Sequence, residues 1–328
     1  MTFNYKNVYV QDTSTVAGLY ESKGPLKDYY DKIYHDFYFN EKTFELAEIK
    51  LLRESIDILL DKTKKKAKDI NIHISGDLLN QITVSNYTAS IFQIPFIGIY
   101  AACSTSTLGV IIASNMINAK QIKNAIVSVS SHNCTSEKQF RQPVEYGGPK
   151  PKRSTFTVTG AASCLLSNKQ SLIKVSSATI GTVVDLDIKD PFNMGAVMAP
   201  AAARTIYTHL KNTKTKASDY DLILTGDLGI YGKNILEEYM VKEYNIELNN
   251  LLDSACLIYD LNNQEVNAGG SGPACIALVT YGYILNKMRK HKLKKVLLVA
   301  TGALMSQTLV NEKQSIPAIS HAVCLEAV

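Results

Sequence analysis

Cys103 is the side chain in this sequence best placed to do chemistry. It follows the apolar run Ile94 to Ala102 and opens the stretch CSTSTLGVIIASNMIN, so a thiol is expected at a sharp strand-to-helix junction. At such a junction, unpaired N–H groups and the positive end of the helix dipole favour a thiolate, or an anion held beside it. Acyl transfer by that thiol would need a general base or imidazolium, and donors for charge developing on a thioester oxygen. Six histidines are available. His73 in an apolar strand, His209 and His291 in charged helical surroundings, and His35 in an aromatic-rich segment read as structural. His321 lies near the last strand; it reads first as structural and second as a group that approaches the pocket. His132 is the better candidate, because it follows the strand Ala125 to Ser130 at the carboxyl end, where α/β proteins hold ligands.

Other donors lie close in sequence. Ser104 continues the helix start, and Ser131 precedes His132. The loop from Ser131 to Ser154 is longer than ordinary connections, and such loops are commonly functional. It contains Arg141, a residue able to fork onto a carboxylate, and Tyr146. Each has a rival role. Cys103 also suits a small apolar position at a helix start, Arg141 a subunit contact, Tyr146 the packing of its own loop, and the serines backbone caps. Lys150, Lys152 and Arg153 are expected to face solvent and to raise the local positive potential.

The elements that must position these groups come in two sets. Asp69 to Leu78 (DINIHISGDL) matches Asp219 to Leu228 (DYDLILTGDL), each an apolar strand ending in Gly-Asp-Leu. Ala125 to Ser130 answers Val296 to Thr301, and Ser163 to Leu166 answers Ala322 to Leu325. The offsets change along the chain, which predicts unequal loops on a shared plan. An amphipathic helix precedes each Gly-Asp-Leu strand: Leu46, Ile49, Leu52, Ile56, Leu59 and Leu60 mark one, Met194, Val197, Met198, Ala201 and Ile206 the other. A small-residue helix follows in each half, Cys103 to Asn118 and roughly Ser271 to Lys287, and then two closing strands. Alternating strands and helices favour parallel pairing covered by helices. The expected product is a layered α/β/α/β/α fold of two similar halves, residues 1–170 and 171–328. Asp77 and Asp227, matched across the repeat, read as turn or cap residues.

At 328 residues with 46% hydrophobic content and a net charge of +5, the chain can bury a sizeable core and carries no strong charge bias. The basic clusters from Lys62 to Lys68 and from Lys287 to Lys295 read as solvated helix ends, and no nucleic-acid partner is expected. Six cysteines without a CxxC pair argue against a zinc site or a disulfide framework and suggest a reduced, intracellular protein. Neither a signal peptide nor a membrane span is read in the sequence.

The segments GDLLNQ (76–81), ACSTST (102–107), SSHN (130–133), QFRQPVEYGG (139–148), TVTG (157–160), MAPAAA (198–203), DLILTGDL (221–228) and AGGSGPAC (268–275) resemble the stage V sporulation protein AD family of the thiolase-like superfamily. The resemblance implies a five-layered fold and a non-catalytic binding protein for dipicolinic acid (pyridine-2,6-dicarboxylate), without a cofactor. It implies uptake of that acid, free or as its calcium chelate, into the forespore and its release in germination. Membrane proteins of the same transport system, a second copy of the chain, and a peripheral place at the forespore inner membrane are implied as well. A planar aromatic dianion requires N–H or cationic donors and an apolar slot, which makes Cys103, Ser104, Ser131, His132, Arg141 and Tyr146 the expected ligand-binding residues. In acyl-transfer relatives the partners of the cysteine lie where this chain has Thr225-Gly226-Asp227 and Gly269-Gly270-Ser271, neither with a histidine. An acyltransferase using Cys103 with His132 or His321 as its base is the alternative; an adaptor with a vestigial pocket is a third.

Overall fold

The computed structural model describes residues 1–140 and 150–328. Helix α1 (Phe44–Thr63) starts at Thr43, whose hydroxyl accepts the Leu46 N–H at 3.2 Å, and ends at Lys64, in the left-handed region at φ 54°. It buries Ala47, Leu51, Leu52, Ile56, Leu59 and Leu60; Leu46, expected on this face, is 43% exposed because the buried stripe runs through Ala47 instead. Its counterpart α5 (Met194–Thr213) has the same length and ends at Lys214 with φ 57°. A 3-10 turn follows each, Ala67–Asp69 and Ala217–Asp219, in which the aspartate accepts the N–H of Lys66 or Lys216 at 2.8 Å. The repeat therefore holds its register from helix start to the Gly-Asp-Leu turn, and the offset drifts only beyond it.

In chain order the strands are β1 (Thr2–Asn4), β2 (Tyr9–Ala17), β3 (Lys32–Ile33), β4 (His73–Gly76), β5 (Phe96–Gly98), β6 (Asn124–Ser131), β7 (Phe156–Thr157), β8 (Gly160–Ser167), β9 (Ile173–Ile180), β10 (Leu222–Thr225), β11 (Leu251–Asp253), β12 (Gly270–Ser271), β13 (Lys295–Ala303) and β14 (Ala318–Ala327). The first half contributes the order β5-β4-β6-β8-β2 and the second β11-β10-β13-β14-β9. The two sets join where Tyr9 and Val10 of β2 meet Lys174 and Ile173 of β9. The parallel pairing expected from alternation holds for β4, β5 and β6 and for β10, β11 and β13. The closing strands run the other way: β8 is antiparallel to β6 and β14 to β13.

The remaining helices are α2 (Thr83–Phe92), α3 (Thr105–Asn118), α4 (Asn133–Phe140), α6 (Gly229–Tyr244), α7 (Ser254–Leu257), α8 (Pro273–Leu278), α9 (Leu285–Arg289) and α10 (Gln307–Asn311). Helix α1 packs on β2, β6 and β8, and α5 on β13 and β14, as the outer layers. Helix α3 touches strands of both halves, β4 and β6 on one side and β9, β13 and β14 on the other, which makes it the middle layer with α8. Small side chains let a helix enclosed on both sides pack closely, which accounts for the Ser, Thr, Gly and Ala that α3 buries beside Val110, Ile111 and Ile117. The second small-residue helix runs without a break from Pro273 to Arg289, its middle turn Val279–Ile284 being π-helical between α8 and α9.

Candidate functional site

The two halves meet at the carboxyl ends of their parallel strands. After β5 the chain turns through Ala101 and Ala102 into the short 3-10 turn Ala102–Ser104 and then α3. Ala102 sits at φ 48°, a conformation that costs a non-glycine residue energy and that persists only when its surroundings enforce it. Three bonds do so: Thr105 Oγ1 accepts the Ala101 N–H at 3.0 Å and donates to Ala102 O at 2.6 Å, and Ser104 Oγ donates to Ala101 O at 2.7 Å. Gly302 of β13 backs the turn; a Cβ there would lie 2.4 Å from Ala101 O. The elbow that presents Cys103 is thus clamped by the second half.

Opposite it lies Asp227, fully buried just past β10 with φ 69°. Its Oδ2 accepts the Gly272 N–H at 3.1 Å, the thiols of Cys275 and Cys103 adjoin the carboxyl group, and Oδ1 is buried without a hydrogen-bond partner among the described residues. The Gly272 turn is delivered by the short parallel pairing of β12 with β7, in which Gly270 faces Phe156 and Ser271 faces Thr157. Gly272 has φ 101°, and a Cβ on it would meet Ser131 Oγ at 2.7 Å, so only glycine serves. Burial pushes the Asp227 carboxyl well above the usual carboxylate range, and nearby Asp253 adds to the shift. Burial, then Asp227, pushes the Cys103 thiol well up, and Cys275 shifts the same way. Burial therefore disfavours charge on all three groups, the acid and the two thiols. The thiolate expected from the helix dipole is not favoured, because loss of hydration and an adjacent carboxyl outweigh one helix terminus.

Cys103 faces a cavity of about 70 Å³. Leu78, Tyr100, Phe140, Met194, Met198 and Met305 give it apolar walls, and Ser136, Thr155, Thr157 and Ser271 supply hydroxyls. Ser136 Oγ is buried without a hydrogen-bond partner among the described residues. The cavity shares Leu78, Tyr100, Phe140 and Met305 with a wider cleft of about 480 Å³, whose rim carries Asn80, Gln81, Gln139, Gln307 and Thr308.

Of the residues expected here, Cys103 lines the cavity. Ser104 and Ser131 lie behind it, their hydroxyls donated to Ala101 O and to Val158 O, each at 2.7 Å. His132 is turned away. Its Nδ1 accepts the Cys134 N–H at 3.1 Å, which puts the proton on Nε2, and Nε2 donates to Phe37 O at 2.8 Å. The rings of Phe37, Phe39 and Phe44 surround it, and burial lowers its pKa to about 4. His321 is likewise buried and lowered to about 4, with Nδ1 accepting the Gly181 N–H at 3.3 Å. Arg141 and Tyr146 lie outside the described residues. Asp227, expected as a turn or cap residue, instead faces Cys103. Cys275, Gly272, Ser136 and the three methionines were not anticipated; for Asp227 the signal was an acid in the place where acyl-transfer relatives keep a partner of the cysteine.

A family model described as stage V sporulation protein AD matches residues 1–326. The stage V sporulation protein AD of Bacillus subtilis (strain 168) is 44% identical over 319 residues, covering 97% of this chain and 94% of that protein. Among solved structures, 3-oxoacyl-(acyl-carrier-protein) synthase III from Aquifex aeolicus VF5 superposes with a TM-score of 0.59 at 13% identity, covering 97% of this chain and 99% of the synthase. Cerulenin-bound OleA of Xanthomonas campestris gives 0.61 at 11% identity, covering 98% of each chain. The Acat5 thiolase of Ascaris suum in complex with coenzyme A gives 0.59 at 10% identity, with 98% and 100% covered. At these identities the structural likeness establishes a thiolase-like fold.

Proposed function

This chain belongs to the stage V sporulation protein AD family, and from that premise we propose that it acts in spore formation as a non-catalytic binding protein for dipicolinic acid. It takes part in moving the acid, free or as its calcium chelate, into the forespore and out at germination. The observation that carries this reading is the placement of Cys103, whose thiolate is disfavoured by burial and by the adjoining Asp227, at a cavity of apolar walls and hydroxyls. A thiol held in its protonated form is a poor nucleophile, whereas the thiol and hydroxyl groups that line the cavity can donate hydrogen bonds to a carboxylate. The methionines and Phe140 suit the faces of a planar ring.

Binding is tested by calorimetry. Saturable heat with dipicolinate is expected, weakened in Cys103→Leu, which fills the cavity, and in Arg141→Ala; no heat at millimolar ligand overturns the reading. One observation favours a second reading, acyl transfer at Cys103: a titratable group, Asp227, does adjoin the thiol. That reading requires a covalent acyl adduct on Cys103, seen by mass spectrometry after incubation with acyl thioesters. Its absence across chain lengths removes it.

Among the described residues no helix is long and apolar enough to cross a membrane. The place proposed for the protein is therefore peripheral, at the forespore inner membrane beside membrane proteins of the same system. A second copy is proposed at β5, the edge strand of its half, where Tyr87, Ile91 and Tyr100 are 64%, 48% and 45% exposed. A monomer in analytical ultracentrifugation would remove that part.

A further inference from the structure

The lysine clusters that read singly as solvated helix ends do not lie apart in the fold. Five segments, 62–68, 120–123, 169–174, 211–216 and 287–295, hold 18 of the chain's 35 lysines and arginines and not one aspartate or glutamate. Each segment leads into a strand: β4, β6, β9, β10 and β13 in turn. Strand register places the starts on one line, since Asn124 pairs with Ser167, Ser167 with Tyr9, Tyr9 with Lys174, Lys174 with Glu326 and Glu326 with Lys295. The line crosses both halves. Cys103 and Asp227 lie past the opposite strand ends, so the eight residues of β6 separate the basic edge from the pocket by about 25 Å.

Few of these charges are neutralised. Lys62 pairs with Asp31, Arg289 with Asp12 and Lys295 with Glu326, and the rest make no ion pair among the described residues. Three acids on the edge, Asp69, Asp219 and Asp221, accept backbone N–H groups of Lys66, Lys216, Lys294 and Lys295. In the middle of the line, between Lys169 and Lys174, Leu172 is 53% exposed.

We infer that this edge is a docking surface for an anionic lipid bilayer, on which the lysines meet acidic headgroups and Leu172 enters the interface while the pocket faces away. Lysine is a compact point charge suited to a diffuse negative plane. Nucleic-acid recognition relies on arginine forks and aromatic stacking; these segments contain one arginine, already paired with Asp12, and no aromatic residue. An exposed leucine among lysines fits a headgroup boundary better than a phosphate backbone. The inference rests on charge placement and is independent of what the pocket binds.

The test is sedimentation of the full chain with vesicles. Binding to equal parts phosphatidylglycerol and phosphatidylcholine is expected, with none to phosphatidylcholine alone, and release at about 1 M salt, where the screening length is ~3 Å. Lys68, Lys123, Lys292 and Lys294 are exposed, and among the described residues no hydrogen bond or ion pair holds their ammonium groups. Each is worth about fivefold near an anionic surface, so the combined Lys68→Gln, Lys123→Gln, Lys292→Gln and Lys294→Gln variant should bind at least about a hundredfold more weakly. A second variant, Leu172→Asp, places an acid at the centre and should also lose binding. Equal sedimentation with neutral and anionic vesicles, full retention by either variant, or tighter binding to duplex DNA than to the anionic vesicles at equal salt overturns the inference. Dipicolinate heats of both variants are expected to be unchanged, which separates failure of this surface from failure of the pocket assignment.

Discussion

The Gly-Asp-Leu turns of the two halves share a sequence and a place in the fold, yet their aspartates do different work. Asp77 folds back on its own half: it accepts Leu79 N–H at 2.9 Å, Ser85 N–H at 2.8 Å and Ser85 Oγ–H at 2.7 Å, and so ties the turn to α2. Asp227 accepts nothing from its own turn. That task falls to Asp253, at the end of β11, which accepts Thr225 Oγ–H at 2.8 Å, Gly229 N–H at 3.0 Å, Ala255 N–H at 3.1 Å and Leu228 N–H at 3.3 Å. The backbone follows the difference. Asp227 and Gly229 are both left-handed, whereas in the first half that conformation comes later, at Gln81 and Ile82. Duplication supplied two equivalent acids, and a substitute cap in the second half released one of them to face Cys103.

If that division of labour is right, removing the substitute cap should do the most damage. Asp253→Ala leaves three buried amides without an acceptor, at about 1–3 kcal/mol each, so a loss of about 4 kcal/mol is expected. Thermal unfolding should show a fall of roughly 10 °C. A shift of less than a few degrees would mean that Asp253 does not organise the turn.

The pH dependence of the same residue comes next in size. Burial raises the Asp253 carboxyl from an ordinary 3.8 to about 6. The folded protein therefore holds a proton that the unfolded chain has released, and this contribution is full below about pH 4 and lost as pH rises through 6. The span is worth about 3 kcal/mol. His73, His132, His209 and His321, all lowered to about 4, produce the opposite slope, so the readout is a difference. The melting advantage of the native chain over Asp253→Asn should shrink between pH 4 and 7. A constant advantage would show that the carboxyl is not held protonated.

Asp77→Ala should cost less, about 2 kcal/mol. It strands two amides but also relieves Glu48, a buried carboxyl raised by burial and by Asp77 itself. Chemical denaturation resolves a loss of that size, and a loss exceeding that of Asp253→Ala would reverse the ranking of the two caps.

Much of this plan was legible. An apolar strand leading into a small-residue helix identified the Cys103 elbow, because small side chains let a helix pack closely against the strands of both halves. The matched Gly-Asp-Leu strands gave the two halves and the layered fold. What the pattern concealed were effects of distant residues. His132 stands at a strand end, as ligand-holding residues do, but Phe37, Phe39 and Phe44, about ninety residues earlier in the chain, enclose it. The role of Asp227 depends on Asp253 and Gly272, neither of which marks the matched turn. Each lysine cluster was visible alone; only strand register lines them up.

The smallest effect on stability is expected at Asp227, and it is the most informative. Asp227→Asn keeps the shape and an oxygen for the Gly272 N–H, so the unfolding midpoint should move by the equivalent of about 1 kcal/mol or less. The thiol should respond instead. After burial, the negative charge that Asp227 can carry is a cause of the raised pKa of Cys103, and a neutral amide removes it. The pH at which iodoacetamide alkylation of Cys103 reaches half its maximal rate should therefore fall in the variant while burial still keeps it above that of a free cysteine. An unchanged alkylation profile would place the carboxyl out of contact with the thiol, and a large loss of stability would make Asp227 a cap like Asp77; either result ends the distinction between the two halves.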